Sequence, residues 1–386
     1  MRLRSSIQLL SLCLLLPLLF SLTACGSESG STGTTDRTDI SEELTYSHSL
    51  ELVYAQEYTV DYYENGCALV TIHEDSRYLV VPEGTEAPGD LAEDIVILQQ
   101  PIENMYLVAS AVMDMFVSLD ALDALRFSGF DADSWYIEEA KAAMEAGDIL
   151  YAGKYSAPDY EQILAEGCGL AIENTMILHS PEVKEQLESL GIPVLVDYSS
   201  YETEPLGRTE WVKLYGLLTG HEEEAETAFE GQLAEFAEIE DAEDTGLTVS
   251  FFYLTTNGEA NVRKSSDYLA KMIDMAGGSY IFSDLGDEDD TASSTMTMQM
   301  EEFYASARDA DYMIYNSTID GELSSLDELL AKSSLLENFK AVQDGHVYCT
   351  AKNLYQSSME LGTIISDIYK MLHGETDSLT YLYELK

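Results

Sequence analysis

The sequence predicts an α/β protein: two Rossmann-like lobes with mainly parallel sheets, bridged by a long α-helix and preceded by a short β segment. Three observations lead there. From residue 91 to 206, short apolar runs alternate with longer helical patterns, and the same texture restarts after Asp244-Thr245-Gly246. Between these regions lies a stretch with helical periodicity and no strand signal. Repeated strand–helix units of this length indicate parallel sheets with helices on both faces.

The N-terminus is read as a processed leader. Arg2 and Arg4 precede an apolar run, Leu9 to Leu22, shorter than the roughly 20 residues of a membrane span. It leads into Leu22-Thr23-Ala24-Cys25-Gly26, which resembles the bacterial lipobox, whose cysteine takes lipid and becomes the new N-terminus. Residues 1–24 are thus expected to be a signal peptide, and 25–45 a lipidated tether rich in Ser, Gly, Thr and charge. The expected location is the outer face of the cell membrane, with Cys25 as the anchor.

Residues 46–90 read as β-rich. Tyr58 to Tyr63 alternates, Glu64-Asn65-Gly66 supplies turn chemistry, Ala68 to Ile72 resumes the pattern, and Tyr78 to Val81 adds a strand. This segment is expected as a flap or edge. The N-terminal lobe, 91–206, should contain strands at Met105–Ala109, Ala124–Ser128, Ile149–Ala152, Leu170–Ile172 and Pro193–Val196. Helices should lie between them, one opened by Pro158, where a missing N–H costs nothing. Connecting helices span 207–243; the longer one, Glu222 to Glu240, carries Ala225, Phe229, Leu233 and Phe236 on one face and acids on the other. The C-terminal lobe, 244–386, should hold strands near 247–254, 261–263, 312–315 and 346–349, an acidic loop at 284–290, and a last helix from about Ser357 to Leu372.

The formal net charge is −52. Loss of residues 1–24 removes Arg2 and Arg4, leaving 19 − 2 = 17 bases against 71 acids. Such a surface repels phosphate backbones, so no nucleic-acid partner is expected. At 46% hydrophobic residues the chain has ample material for a core. Cys67, Cys168 and Cys349 are too sparse for a disulfide framework and read as small apolar packers. Walker, GxGxxG, GxSxG and HExxH patterns do not occur, and the histidines at 48, 73, 179, 221, 346 and 373 lack zinc-ligand spacing. No catalytic residue, resident cofactor or protein-held metal is expected.

Several segments in order carry a family resemblance. They are Ala157 to Leu164, Leu170 to Glu173, Leu187 to Val194, Leu269 to Gly278, Arg308 to Tyr312 and Phe339 to Tyr348. Together they make the mature chain resemble the substrate-binding component of iron-complex or cobalamin ABC importers, which has two αβ lobes and a rigid connecting helix. Glu204-Pro205-Leu206-Gly207-Arg208-Thr209-Glu210-Trp211 resembles a subgroup from anaerobic Gram-positive bacteria. The resemblance implies an ABC permease as partner, docked through one carboxylate per lobe. Glu161 matches the first position; Asp274 stands at the second, where the family usually has Glu. Both also fit ordinary exposed helix acids.

A ligand in this fold lies between the lobes, on loops at the C-terminal ends of the strands. The strand reading places Ser110, Lys154, Tyr155, Thr175, Met176, Tyr201, Arg263, Lys264, Ser317, Lys352 and Tyr355 there. Bases are rare in this chain, so Lys154, Arg263, Lys264 and Lys352 suit an anionic chelate such as a ferric siderophore or haem, while the tyrosines suit a planar one. The bases equally fit ion pairs with nearby acids, and the tyrosines fit partial burial. Arg126 and Arg208 are weaker candidates, one inside a strand and one opening a helix. The expected function is capture of a ferric chelate for an ABC importer. Corrinoid binding, a surface hydrolase using two carboxylates and a sensory lipoprotein remain alternatives, and a monomer is the default.

Overall fold

The computed structural model describes residues 39–386, apart from 74, 238, 240, 241 and 287–293. The expected signal peptide, Cys25 and most of the expected tether lie outside the described residues, as does part of the acidic loop.

The N-terminal strands β1 (Tyr46–Ser49), β2 (Tyr58–Tyr63), β3 (Ala68–Ile72), β4 (Ser76–Val81) and β5 (Ile95–Gln99) form one sheet in that order. The pairs are antiparallel except β4–β5, which is parallel. Alternate side chains leave opposite faces of a strand. Val60, Val70, Val80 and Leu98 therefore enter the main N-terminal core, while Leu69, Leu79, Val81 and Ile95 pack in a separate cluster with Ile40, Leu44, Ala87 and Leu91. This corrects the expectation of a flap or edge. The sheet is covered on both faces, β3 is wholly buried, and the strands continue to Gln99, beyond residue 90.

The N-terminal lobe is built on β6 (Met105–Leu107), β7 (Leu125–Ser128) and β8 (Leu150–Tyr151), the short β9–β10 hairpin (Gly153–Lys154 with Ala157–Pro158), β11 (Ala171–Asn174) and β12 (Val194–Asp197). The main sheet has the order β12-β11-β6-β7-β8 and is parallel throughout. Pro158 does not open a helix. It pairs with Gly153 in the hairpin, and Asp159 caps the helix Tyr160–Ala165 by accepting from Gln162 N at 3.1 Å.

The C-terminal lobe contains β13 (Thr248–Leu254), β14 (Ala260–Arg263), β15 (Ser279–Tyr280), β16 (Thr295–Met298), β17 (Tyr312–Tyr315), β18 (Val347–Thr350) and β19 (Leu382–Glu384). Its order is β16-β14-β13-β17-β18-β19, with β15 also on β13. The central pairs β13–β17 and β17–β18 are parallel; the edges β14, β16 and β19 are antiparallel. Both β16 and β19 are additions to the sequence reading.

Helices Pro205–Glu210, Val212–Thr219 and Glu222–Ala237 join the lobes. The last is about 24 Å long at 1.5 Å per residue. It packs on Val212–Thr219 at one side and on Leu361–His373 of the C-terminal lobe at the other. Gly216 permits the first approach: a Cβ there would lie 2.6 Å from the Ala225 Cβ. At the second, the Gln232 side chain accepts from Gly362 N at 3.2 Å.

Candidate ligand-binding site

The segment Glu204–Trp211 organises the junction. Pro205 sits in the first helical turn, and Glu204 pairs with Lys271 of the C-terminal lobe. A Cβ on Gly207 would come within 3.0 Å of Tyr54 O, so glycine allows the chain 53–57 to lie against the helix. That chain is held by two buried carboxylates. Glu210 accepts from Val53 N, Tyr54 N and Ala55 N at 2.8–3.1 Å, and the Lys213 ammonium lies 3.3 Å away. Glu202 accepts from Gln56 N, Glu57 N and the Trp211 indole N–H, each at 2.9 Å. Thr209 Oγ1 donates to Ser358 O at 3.0 Å, across to the other lobe.

Arg208 faces the cleft. Its Nε–H donates to Glu202 O at 3.0 Å and Nη2 to Ser200 O at 2.5 Å. The guanidinium carbon lies 3.7 Å from the centre of the Tyr268 ring, which belongs to the C-terminal lobe. Burial is the largest influence on this group and pushes its pKa down from the ordinary arginine value. Above it is a cavity of about 50 Å³ bounded by Ala111, Ser199 and Ser200 from one lobe and Tyr268, Leu354, Tyr355, Ser358 and Leu361 from the other. Drug-sized ligands occupy roughly 300–1,000 Å³, so this space takes one chemical group and not the body of a chelate.

Four candidates from the sequence lie at or beside this centre. Tyr355 lines the cavity; its hydroxyl oxygen accepts from Asn316 Nδ2 at 2.9 Å, and the Arg263 guanidinium lies 5.0 Å from its ring centre. Arg263 also approaches Asp267 at 3.6 Å. Ser110 is half-buried beside Ala111 at the end of β6. At the cleft edge the Lys352 ammonium sits 5.4 Å from the Tyr136 ring centre. Beside it the Gln356 side chain accepts from Tyr136 N at 2.8 Å and donates to Ser134 O at 2.9 Å.

The remaining candidates lie elsewhere or are committed to neighbours. Lys154 is exposed on β9, and Tyr155 packs on the outer core of its lobe. Thr175 and exposed Met176 form a 3₁₀ turn after β11. Tyr201 packs edge-on against His73 and Tyr198, toward the N-terminal sheet. Lys264 is buried with its stem against Gly286. Ser317 is fully buried and its hydroxyl donates to Thr350 O at 2.6 Å. Arg126 donates to Glu166, Gly147 O and Asp148 O. Glu161 and Asp274 are exposed, although Asp274 accepts from Tyr280 N at 3.3 Å. Arg208 is only a weaker candidate in the sequence and Tyr268 is not among the candidates; the segment Glu204–Trp211 is the signal that marks this junction.

Two further acids are perturbed. Glu173, at the end of β11, is fully buried, and neither carboxylate oxygen has a hydrogen-bond partner. Burial raises its pKa to about 8. Asp114 accepts from Met359 N at 2.8 Å, and burial raises it to about 6. Among the described residues no three His, Cys, Asp or Glu side chains converge on a metal site.

The periplasmic binding protein family model matches residues 109–354, covering both lobes and the junction. The chain belongs to this family. Two uncharacterised lipoproteins of Methanocaldococcus jannaschii are similar to it. One is 27% identical over 62% of this chain, and the match spans only 56% of that relative; the other is 23% identical over 84% of each chain. The fold is shared with a periplasmic haem-binding protein of Vibrio cholerae, at TM-score 0.56 and 18% identity, over 69% of this chain and 99% of that one. It is shared too with an ABC-type Fe3+-hydroxamate transport protein of Saccharomonospora viridis, at TM-score 0.54 and 17% identity, over 70% and 93%. The family is that of periplasmic binding proteins, and the fold is the one these solved structures share. Among the described residues no helix is long and apolar enough to cross a membrane.

Proposed function

We propose that this protein captures a ferric chelate, of siderophore or haem type, and delivers it to an ABC importer. The observation that carries the reading is the inter-lobe cavity, where the Arg208 cation lies on the Tyr268 ring and Tyr355 shares the wall, in a chain otherwise dominated by acids. A cation beside aromatic faces suits an anionic, partly planar ligand. The haem-binding and hydroxamate-transport proteins that share the fold support the ligand class. In this proposal Cys25 carries the lipid, residues 25–45 are the tether, and Glu161 and Asp274 are the permease contacts of the two lobes.

Tryptophan fluorescence tests it. Trp211 donates to Glu202 next to Arg208, and Trp135 adjoins Tyr136 at the cleft edge. Titration with haem, ferrioxamine and cobalamin should give saturable one-to-one quenching by haem or ferrioxamine at micromolar concentration or below. Quenching by cobalamin alone would replace the ferric chelate with a corrinoid. No response to any of them would sink the chelate reading.

A further inference from the structure

In the segment Glu204–Trp211 the polar side chains other than Arg208 have partners inside the protein. Glu204 has Lys271, Thr209 has Ser358 O, Glu210 has the 53–55 amides, and Trp211 has Glu202. A guanidinium carries five N–H donors. Arg208 uses one on Nε and one on Nη2, both on neutral carbonyl oxygens. Both Nη1 donors and the second Nη2 donor have no acceptor among the described residues, and no carboxylate pairs with the group. The nearby acids are engaged elsewhere: Glu202 accepts from two amides and an indole, Asp197 from Ser199 and Tyr215, and Asp267 accepts from Leu269 N and faces Arg263. A partly desolvated cation with three idle donors, clamped between two carbonyls and a tyrosine face, is a preformed anion receptor.

The cavity fixes the size of the anion. A water needs roughly 10–15 Å³ of such space, so about 50 Å³ holds a few waters or one small planar group. Two hydroxyls on its wall are committed, since Ser199 donates to Asp197 and Ser358 to Ala111 O. Tyr355 is different: its oxygen accepts from Asn316, and its O–H proton has no acceptor among the described residues. One wall thus offers a guanidinium fork and the opposite lobe a hydroxyl donor. That set matches the two oxygens of a carboxylate.

We infer that the cavity is a subsite for a single carboxylate arm of the ligand, received by Arg208 from one lobe and Tyr355 from the other. Resting on the capture reading above, this narrows the ligand to chelates that keep a free carboxylate, such as a haem propionate or a carboxylate-type ferric complex. A neutral trihydroxamate has nothing to place there.

The purified protein would be titrated by tryptophan quenching with haem, haem dimethyl ester, ferric citrate and ferrioxamine, as wild type and as Arg208→Gln, Arg208→Lys and Tyr355→Phe. Thermal melting of each variant checks that it is folded. Haem should bind on the order of 10- to 100-fold more tightly than its diester, as charge-assisted hydrogen bonds allow. Arg208→Gln should erase that difference, Arg208→Lys should restore part of it, and Tyr355→Phe should reduce it several-fold. Equal affinity for haem and its diester in wild type would overturn the subsite without any variant. So would equal weakening of both by Arg208→Gln. Binding of ferrioxamine with no response to any carboxylate-bearing probe would overturn the subsite and leave the capture reading standing. Silence from all four probes would overturn both.

Discussion

At the junction, the Glu210 carboxylate is fully buried and collects three backbone amides and an ammonium. At the end of β11, some forty residues earlier in the chain, the Glu173 carboxylate is just as buried and collects nothing. Burial costs both groups their hydration; only the first recovers it through hydrogen bonds. Glu173 is pushed up to about 8, with no opposing influence. One acid is a structural pin that ties the chain 53–55 to the connecting helix. The other is a proton-holding group buried on the parallel sheet of the N-terminal lobe.

The largest expected effect comes from breaking the pin. Glu210→Ala leaves three amides unsatisfied and Lys213 short of a buried partner, so it should cost about 3–5 kcal/mol. Urea unfolding would show it as a lower midpoint; a midpoint unchanged from wild type would refute the pin. Next is the proton-holding group. The folded value of about 8 stands above the ordinary 4.5, so the stability that protonated Glu173 contributes is present below 4.5 and is lost as pH rises through 8. The slope approaches about 1.4 kcal/mol per unit within that window. Glu173→Gln should therefore melt above wild type at pH 8.5, with the gap closing toward pH 5; parallel melting curves at all pH values would contradict this. The smallest effect belongs to Asp114, which lies between the two cases with one amide partner and a value of about 6 against 3.8. Its contribution is present below 3.8 and lost as pH rises through 6. Asp114→Asn should remove about 3 kcal/mol of pH dependence in that window and leave the slope above pH 7 unchanged.

Much of the fold was legible because it is written locally. Apolar runs separated by helical patterns give the parallel sheets, and the stripe of Ala225 and Phe229 gives the connecting helix, both residues being buried. What escaped depends on distant partners. The strand β16, Thr-Met-Thr-Met, alternates over only four residues and lies at an edge, where Met298 alone is buried. The strand β19 exists because β18 offers an edge after the last helix has turned the chain back. Pro158 carries a helix-start signal, yet the hairpin with Gly153 moves the cap to Asp159. The site shows the same limit. Strand-end loops could be listed from the sequence, but whether a side chain in them is engaged is decided elsewhere: Ser317 by Thr350, Lys264 by the segment at Gly286. Arg208 drew little weight at a helix start because Tyr268, which it stacks on, comes sixty residues later.

The passage from Gln356 to Met359 belongs in sequence to the C-terminal lobe, yet it donates hydrogen bonds to Ser134, Ala111 and Asp114 and accepts one from Tyr136, and Met359 sits in the N-terminal core. The lobes are therefore not interchangeable modules. A chimera that swaps the C-terminal half at the connecting helix would import a foreign plug into the N-terminal core, so the exchangeable unit must keep residues 356–359 with the lobe they complete. For anyone recombining specificities within this family, the seam runs through space along that plug and not at a single point in the gene.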